Sequence, residues 1–119
     1  MKLTYKDLAN PSLTTGMRKL ASSAKVKGFK ATYNVAKIAA RLDEEFQVFE
    51  SLRQKLAEKV KEGSVTEEVL RDEFQKFGEV AFEIDRPKIL LADVEEVGLT
   101  ANEILALSPL LEEAAPQAV

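Results

Sequence analysis

Carboxylates are the only plentiful reactive side chains here: twenty Asp and Glu residues stand in a chain of 119 that holds no His and no Cys. Without Cys there is no disulfide, thiolate metal site or cysteine nucleophile. Without His the usual general base, the commonest metal ligand and the Ser-His-Asp arrangement are missing. Acid/base work by paired acids, or a carboxylate metal cluster, is what remains. Asp43-Glu44-Glu45 reads as helical, where neighbours point about 100° apart, so three consecutive acids do not converge on one ion. Asp43 with Gln47 one turn on is a poor start for a metal site. Glu67-Glu68 falls in a helix first turn, where negative charge is stabilised without any function. Glu95-Glu96, before Gly98, reads as solvated loop. The expectation is a non-enzymatic protein with no catalytic residue, metal, cofactor or small-molecule substrate.

The cations are more informative because they are sorted along the chain. Residues 1–41 carry nine basic residues against Asp7 alone, a formal +8, while residues 42–119 carry eight against nineteen acids, a formal −11. The net −3 hides this asymmetry, which points to an interaction surface or a tail. Lys25-Val26-Lys27-Gly28-Phe29-Lys30 runs into a helix N-terminus, a place that attracts anions. It is not a P-loop, since the glycine spacing and the Lys-Ser/Thr pair are absent. The basic part can meet nucleic-acid phosphates, an acidic surface of its own or another subunit, or solvent alone. Aromatics between the lysines would favour nucleic acid, but only Tyr5, Phe29 and Tyr33 are present, and Phe29 and Tyr33 also fit a buried helix face.

These residues must be positioned by a small number of elements. Residues 2–8 read as an extended arm or short helix. Asn10-Pro11 is an N-cap followed by the residue favoured at the first helical position, and Leu13, Met17, Leu20, Ala21 and Ala24 predict a helix over 11–23. Gly16 weakens that helix by about 1 kcal/mol relative to Ala. Residues 29–62 hold no Pro or Gly and predict one long helix, about 50 Å at 1.5 Å per residue. Its apolar stripe includes Val35, Ile38, Leu42, Phe49, Leu52 and Leu56, with Phe46 alongside. Glu45 and Lys59 interrupt the seam and argue against a strict coiled coil. Gly63 ends the helix, and Ser64-Val65-Thr66-Glu67 predicts a capping box for a third helix over 65–77, stopped by Gly78.

The period then changes. Val80, Phe82 and Ile84 alternate with Ala81, Glu83 and Asp85 as in a half-buried strand, and residues 89–94 read as a second strand after the turn Arg86-Pro87-Lys88. Antiparallel pairing of the two predicts a hairpin packed on the long helix. Thr100-Ala101-Asn102-Glu103 is another capping box and opens a short helix that Ser108-Pro109 closes. The fold class expected is α+β, predominantly α, with residues 1–111 as a single domain and 112–119 as a flexible tail. No apolar run approaches the ~18–20 residues of a membrane span, and residues 1–7 lack a signal-peptide core, which predicts a cytosolic protein.

Three stretches carry a likeness to a known group: residues 1–8, the Ala31-Thr32-Tyr33-Asn34-Val35-Ala36-Lys37-Ile38 run leading into Leu42-Asp43-Glu44-Glu45, and Leu99-Thr100-Ala101-Asn102-Glu103 continuing to Leu111. The chain resembles the small, functionally uncharacterised proteins of tailed bacteriophages, with Gly28 where many of them have Pro. The resemblance implies a viral protein of the host cytoplasm or the virion, with a role in virion structure, assembly or host interaction, and it carries no catalytic residues.

The function expected is protein–protein contact by a virion component or assembly factor, with itself or another phage protein as partner. The basic part would meet an acidic surface, and Phe46 and Phe49 would supply apolar contact. The rival is a nucleic-acid-binding accessory protein using Lys19, Lys25, Lys27, Lys30 and Lys37. A third possibility is an inhibitor of a host protein, through acidic residues 93–96 or the hairpin edge.

Overall fold

A computed structural model describes residues 1–113. The protein is α+β and mostly helical, built around one long helix with two small two-stranded sheets beside it. Strand β1 (Lys2–Thr4) runs directly into the one-turn helix α1 (Tyr5–Leu8), so the opening segment is both arm and helix. The Thr4 amide donates to Asp7 Oδ2 at 2.9 Å and starts that turn.

Helix α2 (Pro11–Ser22) begins as its sequence predicts, with Asn10 Oδ1 accepting from the Ser12 amide at 3.0 Å and Pro11 in the first turn. Leu13, Met17 and Leu20 are buried along one face, and Gly16 is buried with them. The reason for a helix-weakening glycine lies in the closing helix α6 (Ala101–Leu107). A Cβ at Gly16 would come within 2.8 Å of Leu107 Cδ1 and 3.2 Å of Glu103 Cβ. Gly16 therefore lets α2 and α6 cross closely.

Helix α3 (Phe29–Lys61) is the spine. It ends in a Schellman arrangement: the Ser64 amide donates to Lys59 O, the Gly63 amide donates to Val60 O, and Gly63 takes φ +76. Helix α4 (Glu67–Gly78) then returns along it. Its N-cap is Thr66, whose hydroxyl accepts from the Val69 amide; the capping box expected at Ser64 does not form, because the cap falls on Thr66 and the residue three further on, Val69, has no side-chain acceptor. Phe49 is 5% exposed, and its ring packs against Phe74 of α4 at 5.0 Å and Tyr5 of α1 at 6.3 Å. Beyond Phe49, Leu52, Leu56, Val60, Leu70 and Phe74 are only half-buried. The two helices project from the body as an arm. The radius of gyration, 16.9 Å, exceeds the roughly 13 Å expected of a compact domain of this length.

The predicted hairpin does not form. The alternating segment is a strand, β2 (Ala81–Glu83), but it pairs antiparallel with β1, Leu3 opposite Phe82. Met1 clamps the end of that pairing, its carbonyl accepting from the Ile84 amide at 2.8 Å. Only Ile89–Leu90 of the second apolar run is extended, as β3, and it pairs in parallel with β4 (Leu111–Glu112). Leu91–Val94 is a helical turn, α5, continued by a 3-10 turn at Glu95–Val97. A short continuous apolar run is ambiguous between strand and buried helix, and here both occur. The hairpin whose edge a host inhibitor would use is therefore replaced by two separate two-stranded sheets. Glu112 belongs to β4, while 114–119 of the expected tail lie outside the described residues.

The core joins Leu3, Leu8, Leu13, Leu20, Val35, Ile38, Ile84, Leu107 and Leu110 into one cluster. No helix among the described residues is long and apolar enough to cross a membrane.

Candidate functional site

Helix α3 starts outside that core, and its start carries the most unusual surface of the molecule. The connection from α2 is held in place by Val26, which is buried, and by the Lys27 amide donating to Asp93 O at 2.8 Å. Lys25, Lys27 and Lys30 are exposed around this anchored loop. Gly28 takes φ +85 at the N-cap and offers no side-chain cap, and the first turn of α3 holds no acid. Positive side chains therefore gather where the helix dipole is already positive.

The aromatics here are not core. Phe29 is 87% exposed and Tyr33 is 49% exposed, so the buried helix face that both also fit in the sequence is not where they lie. The segment 87–93 covers the Lys30, Ala31 and Asn34 side of this turn, while Phe29 and Tyr33 project from the face opposite the buried Val35, Ile38 and Leu42. Phe29, Tyr33 and Lys37 follow one another at i, i+4 and i+8 on one helix face. The Lys37 ammonium and the Arg86 guanidinium each lie 5.4 Å from the Tyr33 ring centroid, within cation–π range.

Arg86 reaches this face through a buried relay. Asn34, 7% exposed, accepts from Arg86 Nε at 2.9 Å and donates Nδ2 to Pro87 O at 2.8 Å. These bonds draw the segment 85–88 onto α3 and away from a hairpin turn. A cleft of about 160 Å³ opens beside them, with Lys30 and Lys88 on its walls and Asp93 on its rim. The face thus gathers Lys25, Lys27, Lys30, Lys37, Arg86 and Lys88 around two exposed rings. Arg86 and Lys88 read as turn residues in the sequence; the Asn34 bonds, between the buried Ile84 and Ile89, hold them here.

Two of the other residues expected to make contacts are used by the fold. Lys19 Nζ donates to Glu103 Oε1 at 2.8 Å, which ties it into the crossing of α2 and α6. Phe49 is packed among Tyr5, Phe74 and Phe77 and is only 5% exposed. Phe46 is half-buried and walls a groove of about 340 Å³ between α2 and α3, with Met17 and Leu42. Glu45 of the acidic triplet accepts from the Tyr5 hydroxyl at 2.6 Å and pairs with Arg41 at 2.9 Å. The bond from Tyr5 to Glu45, and then burial, raise the phenol above its ordinary value. Asp43 instead takes a hydrogen bond from Gln47, so the triplet is divided between structural roles.

Comparison with protein-family models, with curated proteins and with solved structures gives no match.

Proposed function

We propose that the protein is a non-enzymatic nucleic-acid-binding protein whose working surface is the start of α3. One observation carries the reading: Phe29 stands 87% exposed among exposed Lys25, Lys27, Lys30 and Lys37. A bare aromatic ring in water is stabilised by nothing in the fold, and lysines beside it supply phosphate neutralisation. The chain offers neither His nor Cys for catalysis, and its resemblance to small phage proteins suits an accessory factor of a phage in the host cytoplasm. An anionic membrane is the less favoured target, because a single Phe and a half-exposed Tyr give little apolar area to bury in lipid.

The test is a fluorescence-anisotropy titration of a labelled mixed-sequence oligonucleotide at about 50 and 200 mM salt. With four or five phosphates neutralised, the log–log salt slope should be near −3 to −4, and K27E/K30E should abolish binding. No binding at the lower salt, or binding only to vesicles containing an anionic lipid, would overturn the reading.

Contact between protein surfaces is the second reading, as a virion component or assembly factor, and the arm favours it. Val48 is 53% exposed and Val69 47%, and the apolar residues beyond Phe49 on α3 are half-buried. Light scattering at several protein concentrations tests it: a discrete oligomer supports self-assembly, and a monomer throughout removes it.

A further inference from the structure

We infer that the ligand of this face is a single strand, bound by base stacking with little sequence preference, and not a duplex read through its grooves. The inference rests on the reading of the face as a nucleic-acid surface and names the form of nucleic acid it takes.

A helix that reads a duplex lays side chains into the major groove and addresses base edges, most often with Arg or Lys to guanine and Asn or Gln to adenine. The exposed positions over the first three turns of α3 are Phe29, Lys30, Thr32, Tyr33, Ala36, Lys37 and Ala40. None is Arg, Asn or Gln. Asn34, the one amide in this stretch, is buried and committed to Arg86 and Pro87. The Thr32 hydroxyl donates to Gly28 O at 2.8 Å. Base-edge readout from α3 itself therefore falls to lysines, which address guanine and leave adenine unread, while Arg86 beside them is tied through its Nε to Asn34.

Stacking, by contrast, is offered by the bare ring of Phe29 and by the half-exposed ring of Tyr33, from which a base would displace Lys37 or Arg86. Phe29 and Tyr33 are one turn apart, with Cβ atoms about 5–6 Å from each other. That is wider than the roughly 3.4 Å rise per nucleotide along a duplex strand. Bases seated on the two rings must be drawn apart from one another, which a single strand permits and an intact duplex resists. The cations lie on both flanks of the rings in sequence, Lys25 and Lys27 before and Lys37 after, with Arg86 and Lys88 brought in from the later segment. A backbone can follow them past the rings, as in sequence-tolerant strand-binding grooves.

The experiment compares four labelled probes at fixed salt: a 12-nucleotide DNA strand, the RNA strand of the same sequence, the corresponding duplex, and a strand with abasic sites in place of half its bases. Each is titrated with the wild-type protein, F29A, Y33L and K27E/K30E. The expected result is a strand, DNA or RNA, bound at least tenfold more tightly than the duplex, with the abasic strand weakened. F29A should lose roughly 5- to 150-fold in affinity for the strand and less than about twofold for the duplex. Phe29 makes no core contact, so F29A keeps the fold and reads stacking directly; Y33L retains bulk at the second ring position. Equal binding of strand and duplex, unaffected by F29A but abolished by K27E/K30E, would overturn the inference and leave the broader nucleic-acid reading standing. A strand preference that depends strongly on base sequence would also overturn it. No binding of any probe would remove both.

Discussion

Lys19 Nζ and Glu103 Oε1 lie 2.8 Å apart across the crossing of α2 and α6. The same carboxylate oxygen accepts from the Thr100 amide at 2.9 Å, so the cap of α6 and the contact between the two helices share one acceptor. The bond from Lys19, and after it the Thr100 amide, hold the Glu103 carboxyl below its ordinary value. A carboxyl depressed on folding adds stability above its unfolded value and loses it as pH falls through the folded one. The thermal midpoint should therefore decline on acidification from the ordinary glutamate range downward. E103Q should be less stable at neutral pH and decline less steeply in acid. Parallel profiles for the two proteins would show that this ion pair does not set the acid limb.

Gly16→Ala should destabilise the protein although alanine is the better helix former. The helix gains about 1 kcal/mol in propensity. The new methyl, however, meets Leu107 Cδ1 at 2.8 Å inside a packed crossing, and overpacking of this kind costs about 1–3 kcal/mol. Urea denaturation reads the difference; a higher midpoint for the variant would mean that α6 can shift away at no cost.

Two phenylalanines of the same helix should behave in opposite ways. Phe49→Ala empties a site among Tyr5, Phe74 and Phe77 and should lose about 3–5 kcal/mol of stability. Phe29→Ala, at a residue 87% exposed, should leave stability within about 0.5 kcal/mol of wild type. Equal effects in chemical denaturation would contradict the assignment of one ring to the core and the other to solvent.

Asn34→Ala should couple stability to binding. Without the amide, Pro87 O loses its donor and Arg86 its acceptor, at a cost of about 1–3 kcal/mol. The segment 85–88 is then free to leave α3 and take Arg86 and Lys88 with it. Urea midpoint and oligonucleotide affinity should fall together, and a loss of stability with full affinity would show that these two cations take no part.

Local chemistry in the chain was enough to place α2, α3, α4 and α6, though not the turn at Leu91–Val94, which reads as strand. Asn10-Pro11, the pair Thr100 and Glu103, and Gly63 each act within a few residues of themselves, and each does in the structure what its type and position predict. The pairing of strands was not legible, because β1 and β2 meet across nearly eighty residues and the alternation at 80–84 says only that some partner covers one face. Burial on α3 was legible on the helical wheel. At about 100° per residue Phe29 and Tyr33 stand roughly opposite Val35, Ile38, Leu42 and Phe49, and it is the latter four that are buried. The two rings face away from the core because the period sends them there. Of the candidate site, the lysines at 25, 27, 30 and 37 were visible as charge, while Arg86 and Lys88 depended on the buried bonds of Asn34.

The projecting arm gives the molecule extents of 59 × 29 × 23 Å, an axial ratio of roughly two. Such a particle tumbles slowly about its short axes and drags more solvent than a sphere of 13.2 kDa. A single copy would leave a sizing column early, at the volume of a heavier globular standard. Retention time would then report the reach of α3 and α4, and only scattered intensity or sedimentation equilibrium would report how many chains travel together.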